Sequence, residues 1–195
     1  MTQYLGYVSG VLLILSFLPY LKGIFKHETK PERASWLIWS ILGGIAFFSQ
    51  LAKGATNSLW MPGVQTIGDL LIFLLAIKYG MGGLLKRDIT ALSAAGISLV
   101  LWYFTNEPAV ALFIAIFIDG VGALLTMIKS YEHPRTEPIT SWILTALGGF
   151  FGIFAVGAWN FVLLAFPLYI FVANVAIVTT IIIGRKRNPS LVRAN

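Results

Sequence analysis

The sequence predicts an all-α integral membrane protein: seven transmembrane helices, arranged as two parallel three-helix repeats joined by a linker helix. Three observations predict it. The chain is strongly apolar, it contains seven apolar runs of about spanning length, and one stretch of it occurs twice. Of its 195 residues 57% are hydrophobic and 11% charged, and its mean hydropathy is +0.82. Soluble domains carry about 25% charge. No long polar block stands apart from the apolar runs, so the membrane part is expected to be the whole protein.

A transmembrane helix needs roughly 17–25 mostly apolar residues. The candidates in chain order are Tyr4–Leu21, Ser35–Ala52, Trp60–Tyr79, Ile89–Phe104, Val110–Met127, Ser141–Trp159 and Phe161–Ile183. Helices are required because lipid leaves exposed backbone unsatisfied, and these runs lack the alternation of barrel strands. The fourth is the shortest and is rich in small residues (Ser93, Ala94, Ala95, Gly96), and little more than Asn160 separates the sixth from the seventh. The N-terminal run has no basic flank and no small-residue cleavage site, so it is expected to stay as a helix.

Charge orders these segments. The net charge is +6, but the basic residues lie in short runs between apolar segments, which argues against nucleic acid as a partner. Across the seven-segment plan, thirteen Lys and Arg fall on one side and Lys53 alone on the other. The positive-inside rule then places the N-terminus outside and the C-terminus inside a cytoplasmic (plasma) membrane. The absence of cysteine excludes disulfides, thiolate chemistry and cysteine metal sites.

The recurring stretch runs from Phe25 to Asp69. Adding 106 carries Phe25 to Tyr131, His27 to His133, Ser35 to Ser141 and Trp36 to Trp142. After one deleted residue an offset of 105 carries Gly43-Gly44 to Gly148-Gly149, Pro62 to Pro167 and Asp69 to Asn174. The chain has only two histidines, and they fall in register. Charge bias puts both histidine-bearing loops inside, so the copies are parallel, and an extra helix is needed to bring the chain back out. The expected plan is a first repeat over 1–80, a linker with the fourth helix over 81–107, and a second repeat with a basic tail over 108–195. Parallel repeats are a transporter design with substrate near the midplane at the repeat interface.

Topology, orientation and length together resemble the SWEET sugar transporters and the wider PQ-loop superfamily. Pro19, followed by a basic loop and Ser35-Trp36, is similar to the superfamily's proline motif leading into a cytoplasmic loop. Asp69 and Asn174 fall where SWEETs carry a paired asparagine that binds substrate. This chain departs from the pattern with Pro19-Tyr20 in place of Pro-Gln, no proline at Leu125-Thr126, and an acid at position 69. The resemblance implies transport of a small polar solute such as a sugar, a vitamin or an amino acid.

Of the eight acidic residues, Asp69 and Asp119 are the two expected inside helices. Each lies more than about 10 Å from either helix end at about 1.5 Å per residue. An acid at that depth costs roughly 2.5–3.5 kcal/mol on insertion scales, so both should point into the bundle. A carboxyl that must be neutral in lipid and charged in water suits proton coupling, the role expected of Asp69 and Asp119. The alternative for each is helix packing, which Gly120 and Gly122 favour for Asp119. Gln65, Thr66 and Asp69 share one helix face. With Asn174, and with Trp39 as a stacking platform, they form the expected substrate-binding set. Asn174 as interhelical glue and Trp39 as packing are the plainer readings.

Pro19 and Pro167 are expected hinges or kinks. Gly43-Gly44 and Gly148-Gly149 are expected to allow close helix approach, and Trp36, Trp60, Trp142 and Trp159 to anchor helix ends at the interface. His27 and His133 beside Glu28 and Glu132 read as loop or headgroup residues rather than as a metal site or pH gate. Pro31-Glu32 and Glu137-Pro138 read as helix-start signals.

The leading function is a facilitator or proton-coupled carrier working by alternating access. A seven-helix receptor or sensor is the alternative, although the seventh segment has no lysine for a retinal Schiff base. A membrane enzyme is less favoured, because no HExxH, GxSxG, CxxC or phosphate-loop pattern occurs. No cofactor, metal or catalytic residue is expected. The expected partners are the solute, the bilayer and a second copy of the chain.

Overall fold

A computed structural model describes residues 2–52, 60–83, 85–104, 108–155 and 161–187. Among them the chain is helical throughout: α1 (Thr2–Phe25), α2 (Arg33–Ala52), α3 (Trp60–Tyr79), α4 (Lys86–Phe104), α5 (Pro108–Glu132), α6 (Ile139–Ala155) and α7 (Phe161–Arg187). The described residues outside helices form one isolated β-bridge, Glu32 to Met81. The expected third segment matches α3 at both ends. The expected boundary between the sixth and seventh, with Trp159, lies outside the described residues, as does Lys53.

Several helices run past their apolar stretches. α1 continues from Leu21 to Phe25, α5 from Met127 to Glu132, and α7 from Ile183 to Arg187. Helix ends are set by backbone hydrogen bonding, and a basic residue in the last turn suits the negative end of the helix dipole. Lys22, Lys129 and Arg185 occupy those turns. α1 stops where His27 takes φ +60° and Glu28 N and Thr29 N both donate to Gly23 O at 3.0 Å. Histidine is among the residues that tolerate the left-handed region. α4 begins three residues before the expected Ile89. There Asp88 Oδ2 accepts hydrogen bonds from Gly83 N at 2.6 Å and Leu85 N at 3.1 Å.

The helices pack as two compact units, one of residues 1–30 and 123–195 and the other of residues 31–122. The first holds α1, α6, α7 and the end of α5. The second holds α2, α3, α4 and most of α5. In terms of the sequence repeat, each unit joins the second and third helices of one copy to the first helix of the other.

In the first unit α6 lies between α1 and α7, and glycine makes both approaches close. A Cβ on Gly148 would sit 3.0 Å from the Leu13 side chain and 3.3 Å from Ser9 O, while one on Gly149 would sit 2.7 Å from Phe171 N. Ser9 Oγ donates to Gly148 O at 2.7 Å, tying α1 to α6. The close-approach reading of Gly148-Gly149 therefore holds.

In the second unit Ile38 and Ile118 form a buried cluster against which Trp39, Leu42, Leu92, Ile114 and Val121 pack, joining α2, α4 and α5. The Trp39 indole Nε1 donates to Asp119 O at 3.2 Å, and a Cβ on Gly122 would lie 2.8 Å from that nitrogen. Ser35 Oγ lies 2.7 Å from Gly122 O and 3.0 Å from Glu32 Oε2, and its single proton serves one of them at a time.

Large apolar side chains point outward on every helix, among them Tyr4, Ile41, Ile67, Ile97, Phe117, Phe154 and Val172. Buried positions include Ser9, Ser16, Ser35, Ser40, Asp69, Thr126 and Asn174. Within α1 and α7, Tyr4–Phe25 and Leu164–Arg187 are long and apolar enough to cross a membrane.

Glycine substitutions test this packing. Gly149→Ala should lower the unfolding temperature of the purified protein, because the added carbon meets backbone that cannot rotate away. A Cβ at Gly10 meets nothing within 4 Å, so Gly10→Ala should be neutral or raise stability by up to about 1 kcal/mol through helix propensity.

Candidate functional site

In the second unit, α3 buries a polar stripe while showing apolar side chains on its other faces. Asp69 is 4% exposed, against 69% for Ile67 and 54% for Leu74. One turn earlier Gln65 Nε2 approaches both carboxyl oxygens, at 3.3 Å and 3.4 Å. Thr66 is half-buried on the same helix. The Asp119 carboxyl on α5 lies within electrostatic reach of Asp69. Nothing in the sequence couples these two carboxyls, 50 positions apart, whereas in the fold their charges act on each other. In a low-dielectric setting such a pair holds one proton or one cation more readily than two negative charges. Gln65 adds an amide that can donate to a carboxylate or a solute hydroxyl.

Trp39 belongs to the same unit, with its N–H directed at the Asp119 carbonyl and its ring at Gly122. Those contacts couple α2 to α5 beside the Asp119 position. Its ring also meets Trp36 edge-on, with centroids 5.0 Å apart.

Asn174 belongs to the first unit. Its Nδ2 donates to Ile170 O at 2.8 Å, one turn back on its own helix. Its Oδ1 is buried with no hydrogen-bond partner among the described residues. A buried acceptor left open costs about 1–3 kcal/mol, so this amide oxygen is suited to receive a donor. The two hinge candidates also lie here, each inside a continuous helix: Pro19 in α1 and Pro167 in α7. Each removes one backbone donor from its helix. Pro167 packs where a Cβ on Gly152 would be 3.3 Å away.

Burial of acids extends beyond the pair expected from sequence. Glu32, Asp88 and Glu137 are each 1–2% exposed, whereas Asp119 is only half-buried. Glu32 is the helix-start residue expected: its Oε2 accepts from Ser35 N at 2.6 Å. Glu137 has a larger role. Its Oε1 pairs with Lys129 Nζ and accepts from Tyr20 OH at 3.1 Å, and its Oε2 accepts from Trp142 Nε1 at 2.8 Å. Lys129 also donates to Lys30 O. Trp142, expected as an interfacial anchor, is 6% exposed and meets Tyr20 edge-on at 5.9 Å. One carboxylate thus joins the ends of α1 and α5 to the start of α6. The eight-residue spacing of Lys129 and Glu137 across a helix–loop–helix turn was the available signal, but Lys129 read as a loop charge and Glu137 as a helix-start residue.

His27 and His133 are exposed. Among the described residues no group of three or more His, Asp and Glu gathers as a metal site would need. No protein-family model, curated protein or solved structure matches this chain.

The Lys129–Glu137 pair supplies a test. Removing one member of a buried pair costs about 3–5 kcal/mol, while replacing both with well-packed apolar groups is often neutral. Lys129→Met and Glu137→Leu should each lower the denaturation midpoint sharply. The double variant should recover much of the loss, as a thermal or denaturant double-mutant cycle would measure.

Proposed function

We propose that the chain is a multi-pass membrane carrier for a small polar solute, related in plan to the SWEET and PQ-loop transporters. The observation that supports this most is the inverted dressing of α3. Asp69 is buried with Gln65 and within reach of Asp119, while Ile67, Leu70, Leu71 and Leu74 face outward. An ionisable residue buried at mid-helix in an otherwise lipid-suited helix marks a substrate or ion pathway by default. In this reading seven helices span a plasma membrane with the N-terminus outside, and access alternates between the two sequence repeats.

Asp69, Gln65 and Thr66 of the second unit bind the solute, and the Asp69 and Asp119 carboxyls carry the coupling proton; in the first unit the open Asn174 oxygen is a separate acceptor for a solute donor. An acid at this position favours a cationic or hydroxyl-rich solute: a sugar, a vitamin or an amino acid.

Flux into liposomes carrying the purified protein, measured over such a panel, checks the proposal. Asp69→Asn should cut flux at least about tenfold, the scale of one lost charge-assisted hydrogen bond, and Asn174→Ala should raise the half-saturating concentration. Full flux in both variants would overturn the site. A rate indifferent to pH would leave a uniporter, and saturable binding without flux would identify a receptor.

A further inference from the structure

A second polar feature lies at the basic end of the first unit. A cavity of about 350 Å³ opens among Lys22 and Lys26 of α1 and its following turn, Arg135 of the α5–α6 loop, and Arg185 of α7, with Glu28 and Glu137 also in its wall. Its size falls in the range of small-molecule sites, about 300–1,000 Å³. We propose that it binds a phosphoryl-bearing anion of the class presented by an anionic phospholipid headgroup.

Charge bookkeeping favours an anion. Glu137 is already held by Lys129, Tyr20 and Trp142, so its charge does not cancel the rim. Four cations then face Glu28. The backbone carbonyls nearby are engaged elsewhere. Gly23 O accepts from Glu28 N and Thr29 N, and Pro134 O and Glu137 O receive Arg185 Nε and Nη2 at 3.4 Å each. Those two bonds orient the Arg185 guanidinium, whose planar fork matches phosphate geometry. Pro138 in the cavity wall immediately precedes α6, so the positive end of that helix dipole adds to the field.

Position favours a lipid. Lys22 and Arg185 sit in the last turns of α1 and α7, both of which have described apolar stretches long enough to cross a membrane. Both stretches end at this cavity. On the membrane reading above, on which the lipid source rests, the cavity lies at the headgroup level of the cytoplasmic leaflet, where anionic lipids concentrate.

The full chain in neutral detergent, at fixed ionic strength, is titrated with short-chain phosphatidic acid, short-chain phosphatidylcholine or inorganic phosphate. Binding is read by thermal shift and native mass spectrometry. No flux is measured, so the result stands apart from the transport proposal. Phosphatidic acid should bind saturably and phosphatidylcholine much more weakly. Arg185→Gln and Lys26→Gln should each weaken phosphatidic acid by about tenfold, while Lys186→Gln, next in sequence but outside the cavity wall, should not. Lys26 is exposed, so its variant keeps the test valid should Arg185→Gln fail to fold. Equal affinity in all variants, or an equal loss in Lys186→Gln, would overturn the site. Inorganic phosphate binding as tightly as the lipid would overturn the lipid source.

Discussion

Side-chain donors aimed at helix carbonyls are what the packing of this chain depends on. Beside the buried apolar contacts, polar groups tie helix to helix at specific points. Ser9 reaches Gly148 O, Ser35 reaches Gly122 O, and Trp39 reaches Asp119 O. Each joins a first helix of one repeat to the second helix of the other. Such bonds contribute about 0.6–2 kcal/mol where water is excluded, and only over short distances. That is why small residues surround them: serine and glycine let two backbones approach until a hydroxyl spans the gap.

The same economy shapes the α1–α2 and α5–α6 loops. In the second unit Arg33 donates from Nε to Ala76 O at 2.9 Å and from Nη1 to Gly82 O at 3.1 Å. The loop is also stitched to the end of α3 by Arg33 N to Met81 O and Met81 N to Pro31 O. A Cβ on Gly80 would meet Pro31 O at 2.6 Å. In the first unit Arg185 binds two loop carbonyls, and a Cβ on Gly184 would meet Tyr131 O at 2.8 Å. One arginine and one close-approach glycine fasten each loop to the end of a third helix. The arginine comes from the loop side in one unit and from the helix in the other. The two loops are thus fastened by like means with unlike residues.

How far the sequence could be read follows from the range of each interaction. Apolar run length is local, so seven helices were legible, Trp60–Tyr79 at both ends. Helix ends depend on caps and turns, so α1 and α7 passed beyond their apolar runs into Lys22 and Arg185. Gly148-Gly149 was legible as a close contact because only glycine permits one. The electrostatic coupling of Asp69 and Asp119 was not, because it depends on how the fold brings helices 50 residues apart into range of each other. Nor was the burial of Glu137. Its neighbours in sequence are those of a solvated loop, and only the fold supplies Tyr20, Lys129 and Trp142. Lys129, counted in the sequence as a loop charge, is buried and paired with Glu137 inside the protein.

That buried pair also shows what asymmetry between the repeats does. By the 106 offset, Lys129 corresponds to Gly23 and Tyr20 to Thr126, so the network has no counterpart built from the other copy. Buried ion pairs are weak sources of net stability, since desolvation offsets much of their attraction, but they penalise every arrangement that separates the partners. Here the penalty falls on any movement of α1, α5 or α6 that takes Tyr20, Lys129 or Trp142 away from Glu137. In the second unit the corresponding end is held by Arg33 on neutral carbonyls. Neutral acceptors lose less when exposed, so that end is the cheaper of the two to open. The α1–α5–α6 junction is therefore expected to stay closed under stress that already opens the Arg33 contacts between α2 and α3.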